Sequence, residues 1–284
     1  MSIAQAIREA AQRLATVSDT ARLDAEVLMA HALGVSRSTL LLRHMADPAP
    51  AAFAALVERR LGHEPVAYIT GAQEFFGLPF RVTPDVLIPR GDSEVLVECA
   101  LAARPDARRV LDCGTGSGAL LLAVLANLPQ ASGTGIDRSA AALAVAAANA
   151  EALGLTGRAT LARADWDQPG WADALGGPFD LILANPPYVE GEADLAASVR
   201  DHEPAGALFA GPQGLDAYRV LVPQLPGLLA PGGVALVEIG HRQAGAVGEI
   251  AQAAGLEVVL RHDLGDRPRV LQCTISLGKP CAKP

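Results

Sequence analysis

Hydrophobic and polar positions follow two different periods along this chain, one before about residue 64 and one after residue 109. In the first stretch, apolar residues recur at spacings of three and four, which is typical of amphipathic helices. The clearest example is the stripe formed by Ile3, Ile7, Ala10, Ala11 and Leu14. Gly34 and Gly62 stand where such helices are expected to end. The stretch therefore predicts four short helices packed as a small bundle.

After Arg109, short apolar runs alternate with helical patterns, which indicates a parallel sheet with helices on both faces. Seven strands are predicted, near residues 110–113, 133–137, 159–164, 181–184, 234–239, 257–261 and 270–275. Four helices are predicted between them, near residues 119–128, 140–153, 215–229 and 244–254. Because only a short loop separates the last two strands, they are expected to pair as an antiparallel hairpin. The pattern predicts an α/β fold with a doubly wound, mostly parallel seven-stranded sheet and an antiparallel last strand.

The segment between these two regions is rich in aromatic and β-favouring residues. Residues 74–82 predict a β-hairpin around the sequence Gly77-Leu78-Pro79, and Ser93 is expected to cap a helix over residues 94–102. The chain is therefore divided into three parts: a helical N-terminal domain at residues 1–72, a hairpin connection at residues 73–94 and an α/β domain at residues 95–284.

The fourth predicted strand runs directly into two prolines, in the sequence Asn185-Pro186-Pro187-Tyr188. Proline has no N–H and a fixed φ, and it pushes the preceding residue toward an extended conformation. The strand is expected to end in a stiff bend that holds the Asn185 side chain, two backbone carbonyls and the Tyr188 ring in place. Carboxyl ends of strands are where open α/β sheets bind ligands. For these residues alone, a Pro-Pro turn with a capping asparagine remains an alternative.

The first predicted strand leads through a glycine-rich turn into a helix, which indicates a ligand-binding loop. The next strand ends at Asp137, where a carboxylate can accept both hydroxyls of a ribose. The spacing Gly114-x-Gly116-x-x-Ala119 also satisfies the relaxed dinucleotide pattern, so a nicotinamide cofactor stays open, as does a turn that only packs helix on strand. Trp166, just past the third strand, is a candidate for contacting an adenine ring, or else an ordinary buried tryptophan.

Composition narrows the classes of function. Hydrophobic residues make up 50% of the chain, and the net charge of −8 argues against a broad electrostatic grip on nucleic acid. The cysteines lack metal-ligand spacing, so neither a zinc site nor a disulfide framework is expected from Cys99, Cys113, Cys273 and Cys281. No stretch approaches the ~20 apolar residues of a membrane span, and the N-terminus has no signal-peptide pattern. A cytoplasmic location is the expectation.

Together these residues resemble the class I methyltransferases that use S-adenosylmethionine, and more narrowly the protein-(glutamine-N5) methyltransferases of the HemK/PrmC family. The glycine loop, Asp137 and the Asn-Pro-Pro-Tyr sequence carry the resemblance, and further similar stretches lie at residues 24–34, 65–71, 75–80, 86–90, 165–166 and 203–204. Two positions depart from the family pattern. Gly91 stands where a second proline is usual, and Cys113 stands where leucine is usual.

The resemblance implies a function and a set of site residues. Members of this family methylate the side-chain amide nitrogen of the glutamine in the Gly-Gly-Gln motif of peptide chain release factors, which gives S-adenosylhomocysteine as the second product. By this resemblance the cofactor contacts Gly114, Thr115, Gly116, Ser117, Gly118, Asp137, Trp166 and Asn185. The acceptor glutamine is held by Asn185, Pro186, Pro187 and Tyr188. No metal is expected, and the helical domain would help to bind the release factor.

Methyl transfer to an amide nitrogen requires acceptor groups of the kind that the proline bend would hold. An amide nitrogen is a poor nucleophile because its lone pair is delocalised, and positive charge builds on it during methyl transfer. The expected catalytic residues are therefore Asn185, Pro186 and Tyr188: two oxygen acceptors that orient the nitrogen, and a ring that packs on the flat amide. No strong general base is required. The long connection at residues 189–214 follows directly and is expected to cover the bound substrate.

Three other functions fit parts of the sequence. A glutamine methyltransferase acting on a ribosomal protein would share the whole site, and only the N-terminal resemblance argues against it. An adenine or cytosine amino methyltransferase would use the same bend, but the acidic chain lacks a basic module for nucleic acid. A dehydrogenase would explain the glycine loop and leave the bend without a role. We expect a monomer that binds release factors without contacting nucleic acid or membrane.

Overall fold

The computed structural model describes residues 1–275 of the chain. Over these residues, two compact units separate: Met1–Ala72 with Leu195–Glu203 form one, and Gln73–Asp194 with the chain from Pro204 onward form the other. The three-part division at residues 1–72, 73–94 and 95–284 stays a prediction. Residues 276–284 of its last part, including Cys281, lie outside the described residues.

The first unit is helical, as its apolar spacing predicts. Its helices are α1 (Ile3–Leu14), α2 (Ala21–Leu33), α3 (Arg37–Thr39) continued by a π-helical turn (Leu40–His44), α4 (Ala52–Leu61) and α5 (Val66–Thr70). The Ser2 hydroxyl caps α1 by accepting the Gln5 N–H at 3.3 Å, and Gly34 ends α2 in the left-handed conformation. α5 is a fifth helix beyond the four predicted, because five residues are too short a window for a helical period.

The predicted hairpin is present as a two-stranded sheet of β1 (Ala72–Phe75) and β2 (Leu78–Arg81). Its turn begins one residue earlier than predicted and is shorter: Phe76 and Gly77 form it, both at positive φ, and Leu78 and Pro79 lie within β2. Positive φ at both central residues is what a type I′ turn requires. Glu94 Oε1 accepts the Phe76 N–H at 2.8 Å, which stabilises an aromatic residue in this uncommon conformation.

The helix predicted after Ser93 is α6 (Glu94–Ala103), which follows a 3-10 turn at Gly91–Ser93. The prediction that the Ser93 side chain caps this helix is wrong. Ser93 has helical backbone angles, φ −76° and ψ −11°, whereas a capping residue needs an extended backbone. The residue is 4% exposed, so its hydroxyl is available to groups in the interior.

The second unit is built on seven further strands: β3 (Arg109–Cys113), β4 (Ser132–Asp137), β5 (Ala159–Arg163), β6 (Phe179–Ala184), β7 (Leu229–Glu238), β8 (Leu256–His262) and β9 (Pro268–Ile275). They form one sheet in the order β5-β4-β3-β6-β7-β9-β8. The pairings from β5 to β7 are parallel, and β9 is antiparallel to both of its neighbours. The predicted fold class, with its antiparallel last strand, is confirmed.

The remaining helices are α7 (Ala119–Asn127), α8 (Ala140–Ala152), α9 (Ala197–Arg200), α10 (Asp216–Leu221), α11 (Leu225–Leu228) and α12 (Ala244–Ala253). The single helix predicted over residues 215–229 is wrong, because α10 gives way to a 3-10 turn (Val222–Gln224) before α11. Pro223 and Pro226 lack the N–H groups that a continuous helix would need there.

The strand register places three carboxyl ends side by side. β3 lies between β4 and β6, with Cys113 opposite Ile136 on one side and Ala184 on the other. The chain therefore moves away from β3 in opposite directions after β3 and after β5. This edge is the topological switch point of the sheet, where open α/β folds bind their ligands.

Candidate functional site

A cavity of about 460 Å³ opens in the α/β unit at this edge of the sheet. Its volume is in the range that accommodates a small-molecule cofactor. The predicted residues that line its wall are Gly114, Thr115, Gly116, Ser117, Asp137, Trp166, Asn185 and Pro187. Three predicted residues are not part of the wall, namely Gly118, Pro186 and Tyr188. The structure thus brings together most of the site that the sequence predicts.

The glycine loop after β3 uses its N–H groups within the protein. Gly114 and Thr115 both donate to the Ile136 carbonyl, at 2.9 and 2.8 Å, and Gly118 donates to the Thr115 carbonyl at 2.7 Å. The Gly116 N–H donates to the carboxylate that ends β4, at 3.0 Å. A pyrophosphate site needs several such groups directed at the ligand. The loop therefore suits a cofactor without phosphate and weighs against the nicotinamide alternative.

Asp137 is oriented by two backbone groups. Its Oδ2 accepts the Gly116 N–H at 3.0 Å, and its Oδ1 accepts the Ser139 N–H at 2.9 Å. Each carboxylate oxygen has about two lone-pair positions, so one on each oxygen remains for a further donor. Because the carboxylate lines the cavity, it matches the two adjacent hydroxyls of a ribose.

Trp166 lies against the glycine loop. A Cβ built on Gly114 would come within 3.2 Å of the Trp166 ring, and Gly114 also has φ +78°. Glycine is therefore needed at this position for space as well as for backbone conformation. The Trp166 carbonyl accepts a hydrogen bond from Gln224 Nε2 at 3.1 Å. The ring offers a flat apolar surface on the cavity wall, as a purine would require.

Asn149 on α8 joins the hairpin to the glycine loop. Its Oδ1 accepts the Arg81 N–H at 2.8 Å, and its Nδ2 donates to the Arg81 carbonyl at 3.0 Å and to the Ser117 carbonyl at 2.8 Å. The residue is 1% exposed, so these bonds are shielded from water. One side chain therefore holds the end of β2 against the cofactor loop.

The proline bend follows β6 as predicted. Some of its side chains face the cavity and others face the protein interior. Asn185 and Pro187 line the cavity, whereas Pro186 is buried. Asn185 Nδ2 donates to Ser93 Oγ at 3.5 Å, and the Tyr188 hydroxyl donates to Glu238 Oε1 at 3.4 Å. The role expected for Tyr188, packing on the substrate amide, stays a prediction.

A buried carboxylate lies behind the bend. Glu238 ends β7 and is 2% exposed, and its Oε2 has no hydrogen-bond partner among residues 1–275. Burial raises the pKa of Glu238 to about 7, although the nearby Ser93 hydroxyl, the charge of Arg269 and the Tyr188 hydroxyl oppose the rise. Burial also raises the pKa of Tyr188 to about 12, and the Glu238 charge adds to this effect. The sequence does not single out Glu238, because one glutamate after an apolar run carries no motif.

A second buried carboxylate lies behind the glycine loop. Asp112 on β3 is 0% exposed, and Thr115 Oγ1 donates to its Oδ2 at 2.6 Å. Its Oδ1 has no hydrogen-bond partner in the described part of the chain. Burial raises the pKa of Asp112 to about 7, against the bond from Thr115. Burial also raises the pKa of the neighbouring Cys113 thiol, which keeps that sulfur protonated.

Two segments outside the predicted site residues contribute much of the remaining cavity wall. One precedes α6 and contributes Asp85, Val86, Leu87, Pro89 and Arg90; the other ends the long connection and contributes Pro204, Gly206, Ala207, Phe209, Ala210 and Gly211. Val189 pairs with the second segment, because its N–H donates to the Leu208 carbonyl at 2.8 Å and its carbonyl accepts the Ala210 N–H at 3.0 Å. Part of the connection therefore forms one wall of the cavity.

The Gln243 side chain joins the two ends of the connection at residues 189–214 by hydrogen bonds. Its Nε2 donates to the Tyr188 carbonyl at 3.0 Å and to the Gly214 carbonyl at 3.1 Å. Its Oε1 accepts the Gly240 N–H at 3.0 Å, which fixes the orientation of the amide. A Cβ built on Gly214 would lie 2.2 Å from the Tyr188 carbonyl oxygen, so the chain approaches itself closely here.

Comparison with known proteins agrees with both units. The family model described as Methyltransferase small domain matches residues 91–202, and the one described as PrmC N-terminal domain matches residues 5–71. With the switch-point cavity and the antiparallel β9, these matches define a class I S-adenosylmethionine-dependent methyltransferase, and S-adenosylmethionine is its cofactor. None of the helices within residues 1–275 is long and apolar enough to cross a membrane.

Curated relatives make the assignment specific. The chain is 45% identical over 263 residues to the release factor glutamine methyltransferase of Moorella thermoacetica, with 90% of this chain and 91% of that protein covered. It is 44% identical over 283 residues to the protein of the same name from Cereibacter sphaeroides, with 97% and 99% covered. This chain belongs to the release factor glutamine methyltransferase family, which confirms the resemblance found in the sequence.

Proposed function

We propose that this chain transfers a methyl group from S-adenosylmethionine to the side-chain amide nitrogen, N5, of the glutamine in the Gly-Gly-Gln motif of peptide chain release factors. The observation that carries the proposal is the identity of 44% along 97% of the chain with a release factor glutamine methyltransferase. The cavity supports it, because Asn185 lies on the same wall as the residues suited to the cofactor.

The residues present fit the cofactor. Asp137 would accept the ribose hydroxyls, and Trp166 would contact the adenine. When bound, S-adenosylmethionine supplies an electrophilic methyl group on a positively charged sulfur. The charged side chains on the wall favour a cation, since five are acidic and two are basic: Asp85, Asp137, Asp165, Asp167, Asp216, Arg90 and Arg138.

The proline bend would hold the acceptor. The Asn185 side chain lines the cavity, and its Oδ1 would accept one N–H of the glutamine amide. The backbone carbonyl of Pro186, a buried residue next to the wall, would accept the other and help direct the nitrogen toward the methyl group. Positive charge that develops on the nitrogen is then stabilised by oxygens whose positions do not change during the reaction. The proton can leave after transfer, so no strong base has to be assigned to the wall.

The rest of the proposal concerns partners and place of action. The helical domain at residues 1–72 would contribute to binding the release factor. The chain would act in the cytoplasm as a monomer, and its net charge of −8 supports a protein rather than a nucleic acid as acceptor.

A labelling experiment tests the proposed acceptor. The full chain is incubated with S-adenosylmethionine labelled in the methyl group and, separately, with a release factor, the same factor with its Gly-Gly-Gln glutamine changed to alanine, ribosomal proteins, DNA and RNA. We expect label only in the unchanged release factor, at glutamine N5. Label in a ribosomal protein or nucleic acid, with none in the release factor, would overturn the proposal.

A further inference from the structure

The chain between β5 and β6 carries both tryptophans of the protein, and we call residues 165–178 the tryptophan loop. No helix or strand forms over these residues. The start of the loop lines the cavity through Asp165, Trp166 and Asp167. Because irregular segments lack a backbone ladder of their own, other parts of the chain have to hold Trp166 in place.

Gln224 supplies this support. Its Oε1 accepts the Trp171 Nε1–H at 2.6 Å, and its Nε2 donates to the Trp166 carbonyl at 3.1 Å. The same Nε2 donates to the Val220 carbonyl at 2.8 Å. Among residues 1–275, no other side-chain hydrogen bond joins the tryptophan loop to another part of the chain. One carboxamide therefore carries the polar contacts of the loop.

The partners of Gln224 allow only one orientation of its carboxamide. An indole nitrogen can only donate, so it must meet the oxygen of the amide. Two backbone carbonyls can only accept, so they must meet the two N–H groups on the nitrogen. Exchange of the two amide ends would lose all three hydrogen bonds at once.

Gln224 also connects the loop to a second segment of the cavity wall. It is the last residue of the 3-10 turn Val222–Gln224, which follows α10. α10 contributes Ala217 and Val220 to the wall, and the bond to the Val220 carbonyl reaches this helix directly. Within residues 1–275, Gln224 does not line the cavity itself. It can therefore affect a ligand only through the residues that it holds.

We propose that Gln224 is a positioning residue for cofactor binding, which holds Trp166 and Val220 in the arrangement that an adenine ring requires. The inference rests on the adenine contact of the proposed function and deepens it. Trp166 and Trp171 also pack on the hydrophobic core, but apolar contacts have no direction and leave the loop free to shift. A wall that must first be ordered binds its ligand more weakly, because the entropy of ordering opposes binding.

Matched glutamine variants test the inference in the full chain, by calorimetry with S-adenosylmethionine. Gln224→Ala should raise the dissociation constant about 5- to 20-fold. Gln224→Glu keeps the size and an oxygen for Trp171, but its carboxylate cannot donate to either carbonyl, so we expect at least the same loss. Gln168→Ala, at an exposed glutamine of the same loop, is the control and should bind normally. Unchanged affinity in both Gln224 variants would overturn the inference.

A second ligand locates the effect within the cavity. 5′-Methylthioadenosine has the adenine and the ribose of S-adenosylmethionine but lacks its amino-acid part. Gln224→Ala should raise the dissociation constants of both ligands by the same factor, since the lost support lies at the adenine. A loss confined to S-adenosylmethionine would overturn the inference. Neither measurement requires an acceptor, so a chain that behaves as expected but does not methylate a release factor would overturn only the proposed function.

Fluorescence gives a readout at Trp166 itself. Trp171→Phe leaves Trp166 as the single tryptophan, keeps a ring on the core and removes only the bond to Gln224 Oε1. This variant should bind S-adenosylmethionine about two- to threefold more weakly, and the cofactor should change its tryptophan emission. Adding Gln224→Ala should move the midpoint of that change to higher cofactor concentration. An emission that does not respond to the cofactor, or an unmoved midpoint, would overturn the inference.

Discussion

The glycine loop after β3 and the proline bend after β6 leave neighbouring strands of one sheet, yet they are made rigid in opposite ways. The loop is held mainly through its own backbone N–H groups, which donate to the Ile136 carbonyl and the Asp137 carboxylate on the adjacent strand β4. The bend is held by proline rings and by side chains from distant segments, Ser93 and Gln243. We infer that changes at the loop will mainly alter cofactor binding, and changes at the bend will mainly alter turnover.

The largest effect is expected from Asn185→Ala at the bend. Removing the acceptor should lower kcat by about 100- to 1000-fold, the usual consequence of deleting a preorganised transition-state contact. Cofactor affinity should largely survive, because the ribose and adenine contacts remain. Single-turnover assays with a release factor and calorimetry with S-adenosylmethionine measure the two quantities. Asn127→Ala, an exposed asparagine on α7, is the control, and near-normal turnover of Asn185→Ala would refute the assigned role.

Asp137→Ala tests the glycine loop, where we expect cofactor affinity to change more than turnover. We expect the cofactor dissociation constant to rise about tenfold or more, because two charge-assisted hydrogen bonds to the ribose are lost. At saturating cofactor, kcat should change much less. Asp173→Ala, at an exposed aspartate, is the matched control. Unchanged affinity by calorimetry would mean that the ribose is held elsewhere.

The buried carboxylates behind loop and bend predict a pH dependence of stability. Burial raises the pKa values of Asp112 and Glu238 to about 7, so between about pH 4 and 7 the folded protein holds protons that the unfolded chain has released. The stabilisation is complete below the unfolded pKa and is lost as pH rises, with a slope of at most about 1.4 kcal/mol per pH unit for each group. Denaturant unfolding at several pH values should show that the free energy of unfolding of Asp112→Asn falls less steeply with rising pH than that of the unmodified chain. Equal slopes would contradict the prediction.

The smallest effect is expected from Gln243→Ala. Loss of the hydrogen bonds to the Tyr188 and Gly214 carbonyls should lower kcat about threefold and make residues 189–214 easier to cleave in limited proteolysis. Gln252→Ala, at an exposed glutamine on α12, should cleave like the unmodified chain. If cofactor affinity fell more than turnover, the contrast between loop and bend would not hold.

Features with a local cause could be predicted from the sequence. Apolar runs located the strands, and the chemistry of proline and glycine located the bend and the loop. Two differences from the predicted elements also have local causes: Pro223 and Pro226 interrupt the predicted helix, and Phe76 with Gly77 forms the hairpin turn.

Features that depend on distant partners could not be predicted. Ser93 meets Asn185 across 92 positions of sequence, and Gln243 meets Tyr188 across 55. Neither belongs to a recurring pattern, and single serines and glutamines are common on surfaces. Only the folded sheet brings Glu238 at the end of β7 to Tyr188, and Ser93 before α6 to Asn185.

Asn149 gives the molecule an internal reporter. Because its side chain bonds both the N–H and the carbonyl of Arg81 while also holding the Ser117 carbonyl, slower motion of the cofactor loop should slow the exchange of the Arg81 amide hydrogen with solvent deuterium. Binding of a ligand in the cavity would thus be detected as slower hydrogen exchange at the end of β2, a strand that does not line the cavity.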